Sequence, residues 1–205
     1  VEFLLEGSND MDTAIVICYY KNSEHFLECF ESIKDIPDCD FYVVENKSNV
    51  DISEKILKYV ENKKIKSYAL FEQNIYDNAP RLFFMDGNVK FTDYKYVVYT
   101  DGDLVPDKGW LDECKKTLDN NKDLFVIATS LYMDNLPIKS FPEAVNWIPP
   151  NVIDQGDYLE TRTGCSFMTF RSEDFEKYVE HNSFLILDTN IHNYAKSIGK
   201  KSGRT

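Results

Sequence analysis

The segment from Thr13 to Tyr19, Thr-Ala-Ile-Val-Ile-Cys-Tyr, is apolar almost throughout and does not alternate with polar residues. A strand with one wet face alternates. An unbroken run needs cover on both faces, which is the habit of parallel sheets packed between helices. The following residues repeat the theme. Ser23 caps a segment whose Phe26, Leu27, Phe30 and Ile33 share one helical face. Phe41 to Val44 reads as a second strand, closing on the polar turn Glu45-Asn46-Lys47-Ser48. Ser53 opens a helix with Ile56, Leu57 and Val60 inward, and Ile65 to Phe71 reads as a third strand. Asn78-Ala79-Pro80 marks a helix start, since proline suits the first helical position. With Tyr96 to Thr100 the chain returns to strand. This alternation implies an α/β fold: a Rossmann-like, mostly parallel central sheet with helices on both faces.

The second half is poorer in strands. Asp107 is expected to cap a helix that buries Trp110, Leu111, Cys114 and Leu118. Leu124 to Ser130 reads as strand, Tyr132 to Tyr158 as a long functional loop, and Cys165 to Phe170 as strand again. Ser172 caps a helix with Glu173 and Asp174 in its first turn. Asp188 opens a last helix carrying Ile191, Tyr194, Ala195 and Ile198, stopped by Gly199. Residues 1–12 lack a period and read as a leader. Residues 13–205 are expected to form one domain, with a nucleotide-binding half (13–104) and a substrate-shaping half (105–205).

A net charge of -12, with scattered lysines, excludes the concentrated basic face that nucleic acid or an anionic membrane requires. No apolar run approaches a membrane span. The five cysteines, Cys18, Cys29, Cys39, Cys114 and Cys165, form no Cys-x-x-Cys pair, and their odd count speaks against a disulfide framework. Buried free thiols, at least at Cys18 and Cys165, fit a reducing, cytoplasmic compartment. His25, His181 and His192 are too dispersed for structural zinc.

The chemistry concentrates where the strand Tyr96-Val97-Val98-Tyr99-Thr100 runs into Asp101-Gly102-Asp103. Gly102 lets the backbone turn, and both acids then face an opening at the end of the sheet. Carboxylates this close repel unless a cation stands between them. Mg²⁺ or Mn²⁺, with substrate phosphates completing the shell, answers that need. Ligands of such sheets gather at the carboxyl ends of the strands, where Glu45 also falls.

These residues resemble the nucleotide-sugar-dependent glycosyltransferases of the GT-A fold, especially family two, over residues 13 to 201. Ile15-Val16-Ile17-Cys18-Tyr19-Tyr20-Lys21-Asn22 is similar to the opening strand and uridine-side turn, matching the usual Pro-Thr-Tyr-Asn only at Tyr20. Tyr42-Val43-Val44-Glu45-Asn46-Lys47-Ser48 is similar to the strand ending in Asp-Asn-x-Ser, with Glu45 standing for the acid that touches the nucleoside. Asp101-Gly102-Asp103 resembles the Asp-x-Asp metal motif, and Arg162-Thr163-Gly164-Cys165 the segment near sugar and acceptor. Leu187-Asp188-Thr189-Asn190-Ile191 is similar to Glu-Asp-x-Asp-Leu, which supplies the catalytic base, although Leu187 replaces the first acid.

The resemblance implies a metal-dependent, inverting hexosyltransferase. It would take a nucleotide-sugar donor, a UDP-sugar, and a glycan or glycoprotein acceptor. Asp188 would be the base, Tyr19, Tyr20, Glu45, Arg81, Asp101, Gly102 and Asp103 would hold the donor, and Asp101, Asp103 and His192 the metal. Surface-polysaccharide or glycoprotein assembly follows as the setting, with the chain a module compatible with a longer protein. Each residue also has a plainer role: a helix cap for Asp188, a surface residue for His192 or Arg81, and a helix C-terminus for Lys196, Lys200 and Lys201. Trp147 fits either an acceptor platform or the core. Two other functions stay open: a non-catalytic nucleotide-sugar-binding module, and a haloacid-dehalogenase-type phosphohydrolase. The latter needs Ser or Thr close behind the second Asp, where Leu104-Val105-Pro106 stands.

Overall fold

The structure, a computed structural model, describes residues 11–21, 23–47, 50–129, 152–164, 166–181 and 188–205. The chain runs β1 (Thr13–Tyr19), α1 (Ser23–Ile33), β2 (Cys39–Asn46), α2 (Val50–Glu61), β3 (Ser67–Phe71), α3 (Asn78–Met85) and β4 (Tyr96–Asp101). There follow α4 (Trp110–Asn120), β5 (Leu124–Ala128), β6 (Ile153–Asp154), β7 (Leu159–Glu160), β8 (Met168–Arg171), α5 (Ser172–His181), α6 (Asp188–Ser197) and β9 (Lys201–Arg204).

The strands form one sheet in the order β3-β2-β1-β4-β8-β5-β9-β7-β6. Among the described residues, β7 and β8 run against the other strands, so the sheet is mostly, not wholly, parallel. The unbroken apolar runs follow from double cover. Ala14, Val16 and Cys18 of β1 pack with Phe83, Phe84, Phe175, Tyr178 and Ile191 of α3, α5 and α6. Ile15, Ile17 and Tyr19 pack on the other face with Phe26, Phe30, Ile56, Trp110 and Leu118 of α1, α2 and α4. Burying each large side chain contributes roughly 1.5–3 kcal/mol, so two such layers carry the fold.

Several local expectations are corrected. In α2, Ile56 is buried but Leu57 is 46% exposed, because consecutive helical residues point about 100° apart. The helix after β4 begins from Gly109, at φ 85, with no side-chain cap; Asp107 contributes only a backbone carbonyl, 3.3 Å from the Trp110 N–H. Pro80 sits in the third position of α3, where its missing N–H still costs no helical bond. The end of the expected long loop is a hairpin, β6 to β7, turned at Gly156 (φ 87) with Asp154 accepting from its N–H. Residues 130–151, including Trp147, lie outside the described residues, as does Cys165. Asp12 is tied to the domain, its carbonyl accepting from the N–H groups of Lys95 and Tyr96.

Candidate active site

The chain lays β1, β2 and β3 outward in one direction, then returns to place β4 on the other side of β1. That reversal opens a crevice at the carboxyl ends of β1 and β4, the usual place for a ligand in such sheets. Asp101 lies there, level with Cys18 across the β1–β4 pairing. The Gly102 N–H donates to the Cys18 carbonyl at 2.8 Å and carries the ladder one residue further. Gly102 is required for space more than for turning, since its φ is not positive. A Cβ there would stand 2.9 Å from Tyr19 Cβ, 3.2 Å from Phe26 Cδ2 and 3.3 Å from Ile17 Cγ2. This close approach delivers Asp101 and Asp103 to the crevice mouth.

Two clefts meet at that point. One, of about 330 Å³, is walled by Cys18, Tyr20, Asn46, Tyr76, Asp101 and Asp103 among others. The second, of about 360 Å³, runs from Asp103 past Pro106 and Trp110 to Thr129, Phe167 and Thr205. Asp103 borders both. Burial, and then the neighbouring Asp101 charge, push the Cys18 thiol well up, so it stands as a neutral floor to the first cleft. The two acids suit Mg²⁺ or Mn²⁺, which typically takes one or two carboxylates and leaves its other positions to water and phosphate. Among the described residues no three of His, Cys, Asp and Glu converge as a preformed cage.

Glu45 stands at the carboxyl end of β2, as expected, but does not line the cleft. Strand residues alternate faces, so Glu45 shares the α1 side with Val43 and Phe41, while Asn46 faces the crevice. Glu45 is fully buried and accepts a hydrogen bond from the Tyr68 hydroxyl. Tyr19 borders the crevice, yet its ring turns the same way as Glu45 and stacks on Phe26, centroids 4.4 Å apart. Burial, then the adjacent Glu45 carboxylate, push its phenol well up. Arg81 follows the wall residue Pro80 on α3 but does not itself line the cleft.

Asn46 lies inside the matched segment Glu45-Asn46-Lys47-Ser48, but the match gave it no role. Its Nδ2 donates to Asn74 Oδ1 at 2.8 Å and to the Tyr76 carbonyl at 3.0 Å, and its Oδ1 accepts from the Ile75 N–H at 2.9 Å. It therefore fastens the β3–α3 connection, which supplies Asn74, Tyr76 and Asp77 to the cleft wall. Its position in the matched Asp-Asn-x-Ser element, at the end of a strand before a polar turn, was the signal in the sequence.

Asp188 is the first residue of α6, and its side chain lies outside the described residues. Arg162 donates from Nη2 to the Thr189 hydroxyl, so the two segments matched near the acceptor are neighbours in space. His192 is not gathered with Asp101 and Asp103 among the described residues. Its Nδ1 lies 2.6 Å from Ser202 Oγ, whose own proton goes to the Thr161 carbonyl at 3.0 Å. Ser202 Oγ, having donated its proton, then accepts from the Nδ1–H of His192. The basic cluster disperses: Lys200 pairs with Asp174 at 2.7 Å, and Lys201 with Asp123 and Glu160, both at 3.2 Å.

The architecture has close counterparts among solved structures. It is similar to the mannosyltransferase PcManGT of Pyrobaculum calidifontis, solved with GDP-Man and Mn²⁺ (TM-score 0.63, 12% identity, 100% of this chain and 60% of that one). It is also similar to S. aureus TarS 1-349, solved with UDP-GlcNAc (0.61, 13%, 95% and 56%), and to GalNAc-T7, solved with UDP, GalNAc and Mn²⁺ (0.62, 10%, 100% and 46%). The fold is thus of the GT-A class. The model of glycosyl transferase family 2 matches residues 14–179, and the chain belongs to that family. Its relatives include the uncharacterized proteins L137 and L138 of Acanthamoeba polyphaga mimivirus. The first is 36% identical over 74% of this chain and 22% of its own length; the second is 31% identical over 93% and 23%. The chain spans about a quarter of these relatives. Membership of the family removes the phosphohydrolase alternative.

Proposed function

We propose that this domain transfers a hexose from a UDP-sugar to a hydroxyl of a glycan or glycoprotein, with inversion and with Mn²⁺ or Mg²⁺ held by Asp101 and Asp103. One observation carries the reading: the acid pair stands at the end of a central strand at the switch point, and Asp103 borders two clefts, which this reading assigns to donor and acceptor. Asn46 and Tyr20 line the cleft assigned to the donor, while Glu45 ends β2 with its side chain buried. A bound divalent ion would offset the negative charge that grows on the departing diphosphate.

In the transfer, the acceptor oxygen attacks the anomeric carbon from the face opposite the diphosphate. The new C–O bond forms as the old one breaks, and the bonding pair leaves with the diphosphate oxygen. Asp188, at the start of α6, takes the hydroxyl proton. The Arg162–Thr189 hydrogen bond holds that helix end beside the acceptor segment. Four buried free thiols, Cys18, Cys29, Cys39 and Cys114, agree with work in a reducing compartment such as the cytoplasm. Among the described residues no helix is long and apolar enough to cross a membrane.

Incubation with a panel of UDP- and GDP-sugars, read as released nucleoside diphosphate with Mn²⁺ and with EDTA, tests the reading. Metal-dependent release from at least one donor supports it. Tight donor binding without release, over the whole panel and with hydroxyl acceptors present, would leave a nucleotide-sugar-binding module instead.

A further inference from the structure

The cleft that begins at Asp103 and passes Trp110 has apolar walls and charge of mostly one sign. Val105, Pro106, Trp110 and Phe167 supply the apolar surface. Asp103, Asp107 and Glu113 line it as acids, against the single base Lys108. Asp103 is taken by the metal in the reading above, but Asp107 and Glu113 are not. Carboxylates elsewhere in the domain meet cations, as Asp174 meets both Arg171 and Lys200. Among the described residues neither Asp107 nor Glu113 has an ion-pair partner. The first turn of α4 carries two acids, Asp112 and Glu113, either of which complements the helix dipole. Of the two, Glu113 lines the cleft, three residues after Trp110 and so on the same side of the helix. A cleft with low-dielectric walls and one dominant sign of charge focuses its field and concentrates counter-ions.

The wall also holds a polar group that lacks a partner. Trp110 is 4% exposed, and its buried Nε1–H donates to nothing. Its ring lies on Phe167, centroids 4.6 Å apart. Phe167 is itself held at φ 49, a left-handed backbone for a bulky residue, with its N–H donating to Thr100 Oγ1 at 3.2 Å. A buried donor left unpaired costs about 1–3 kcal/mol, and an oxygen brought by an occupant would relieve it. The cleft therefore lacks an oxygen acceptor and a cation. Its volume, about 360 Å³, is on the scale of a small-molecule site. An amino sugar with a free amine is of that size and offers both groups.

We propose that the acceptor is a glycan whose sugar in this cleft carries an unacetylated amine, with Asp107 and Glu113 selecting its ammonium. Trp110 Nε1 then donates to an oxygen of the same sugar. The inference rests on the transferase reading given above and adds the chemical class of the acceptor. Transfer is still to a hydroxyl, and the amine stays free in the product.

The test uses the whole chain with Mn²⁺ and a UDP-sugar that the donor panel shows to be cleaved. Acceptors are a trisaccharide of glucosamine, its fully N-acetylated counterpart, and a peptide containing serine and lysine. The glucosamine trisaccharide is expected to gain one sugar with a KM about tenfold or more below that of the acetylated form. Asp107→Asn combined with Glu113→Gln removes both charges at exposed positions, and UDP binding by calorimetry reports that this variant is folded. In it the two trisaccharides are expected to differ by no more than about twofold, as they are for the unmodified chain in high salt. Equal or better use of the acetylated trisaccharide, a preference that survives in the variant, or a peptide used better than either sugar overturns the proposal while the transferase reading stands. So does a glucosamine trisaccharide that gains no sugar while the donor is hydrolysed. Absence of metal-dependent release from every donor overturns the transferase reading and this inference with it.

Discussion

Replacing Gly102 by alanine separates the two jobs this glycine performs. The added methyl would sit 2.9 Å from Tyr19 Cβ, about half an ångström inside the 3.4 Å at which ordinary contact begins. Tyr19 Cβ is anchored to β1 and cannot swing away, and Phe26 Cδ2 and Ile17 Cγ2 press from 3.2 and 3.3 Å. Relief has to come from moving the end of β4 away from β1. Overpacking of this kind costs about 1–3 kcal/mol, so the urea midpoint of Gly102→Ala should fall by roughly that much free energy. The shift falls on the residue between Asp101 and Asp103, and displacements of this order in a charge-stabilising site cost about tenfold in rate. Gly87→Ala is the control, because no atom lies within 4 Å of its Cβ and its φ of 73 imposes only backbone strain away from the cleft. Metal-dependent release of UDP is the assay. A Gly102→Ala protein with unchanged midpoint and unchanged release would refute the argument that close packing of β1 on residue 102 aims the two acids.

Asn46→Ala removes three hydrogen bonds from the β3–α3 connection and leaves the Ile75 N–H unpartnered; a loss of about 2 kcal/mol in urea and a weaker UDP dissociation constant by calorimetry are expected. Asp188→Asn keeps a helix-capping residue but not a proton acceptor. Donor binding should survive while acceptor-dependent turnover falls about 10²-fold, and product NMR should give an inverted anomeric centre; near-normal turnover would return Asp188 to capping. Burial pushes the Cys29, Cys39 and Cys114 thiols up to about 12 from an ordinary 9.0. The native chain then holds protons that the unfolded chain releases between pH 9 and 12. Stability measured by urea midpoint should be flat in this respect below pH 9 and fall as pH rises above it, by on the order of 1 kcal/mol per pH unit for each thiol.

The strands buried on both faces were legible almost to the residue. β1 and β4 are continuous apolar runs, and continuity is what double cover demands. β9 was invisible because Lys-Ser-Gly-Arg has no strand-like composition. It holds its place between β5 and β7 by backbone pairing, and Gly203 is there because the Tyr158 ring would lie 2.5 Å from any Cβ. The acid pair was legible for the same reason as β4, since it terminates that strand. The motif drew attention to Glu45, whereas the alternation of β2 side chains gives the cleft wall to Asn46. The clamp of Asn46 on Asn74, Ile75 and Tyr76 joins residues 28 to 30 apart in the chain, and no local pattern encodes such a contact. Gly102 looked like a turn residue, but three side chains from β1 and α1 set its size.

The central claim is that Asp101 and Asp103 hold a divalent ion against the donor diphosphate between the two clefts. Anomalous diffraction from crystals grown with Mn²⁺ and UDP tests it most directly. A single peak about 2.1 Å from a carboxylate oxygen of Asp101 or Asp103, with diphosphate oxygens in its shell, is the predicted result. A diphosphate bound in the crevice with no metal, or with the peak on other residues, would contradict it.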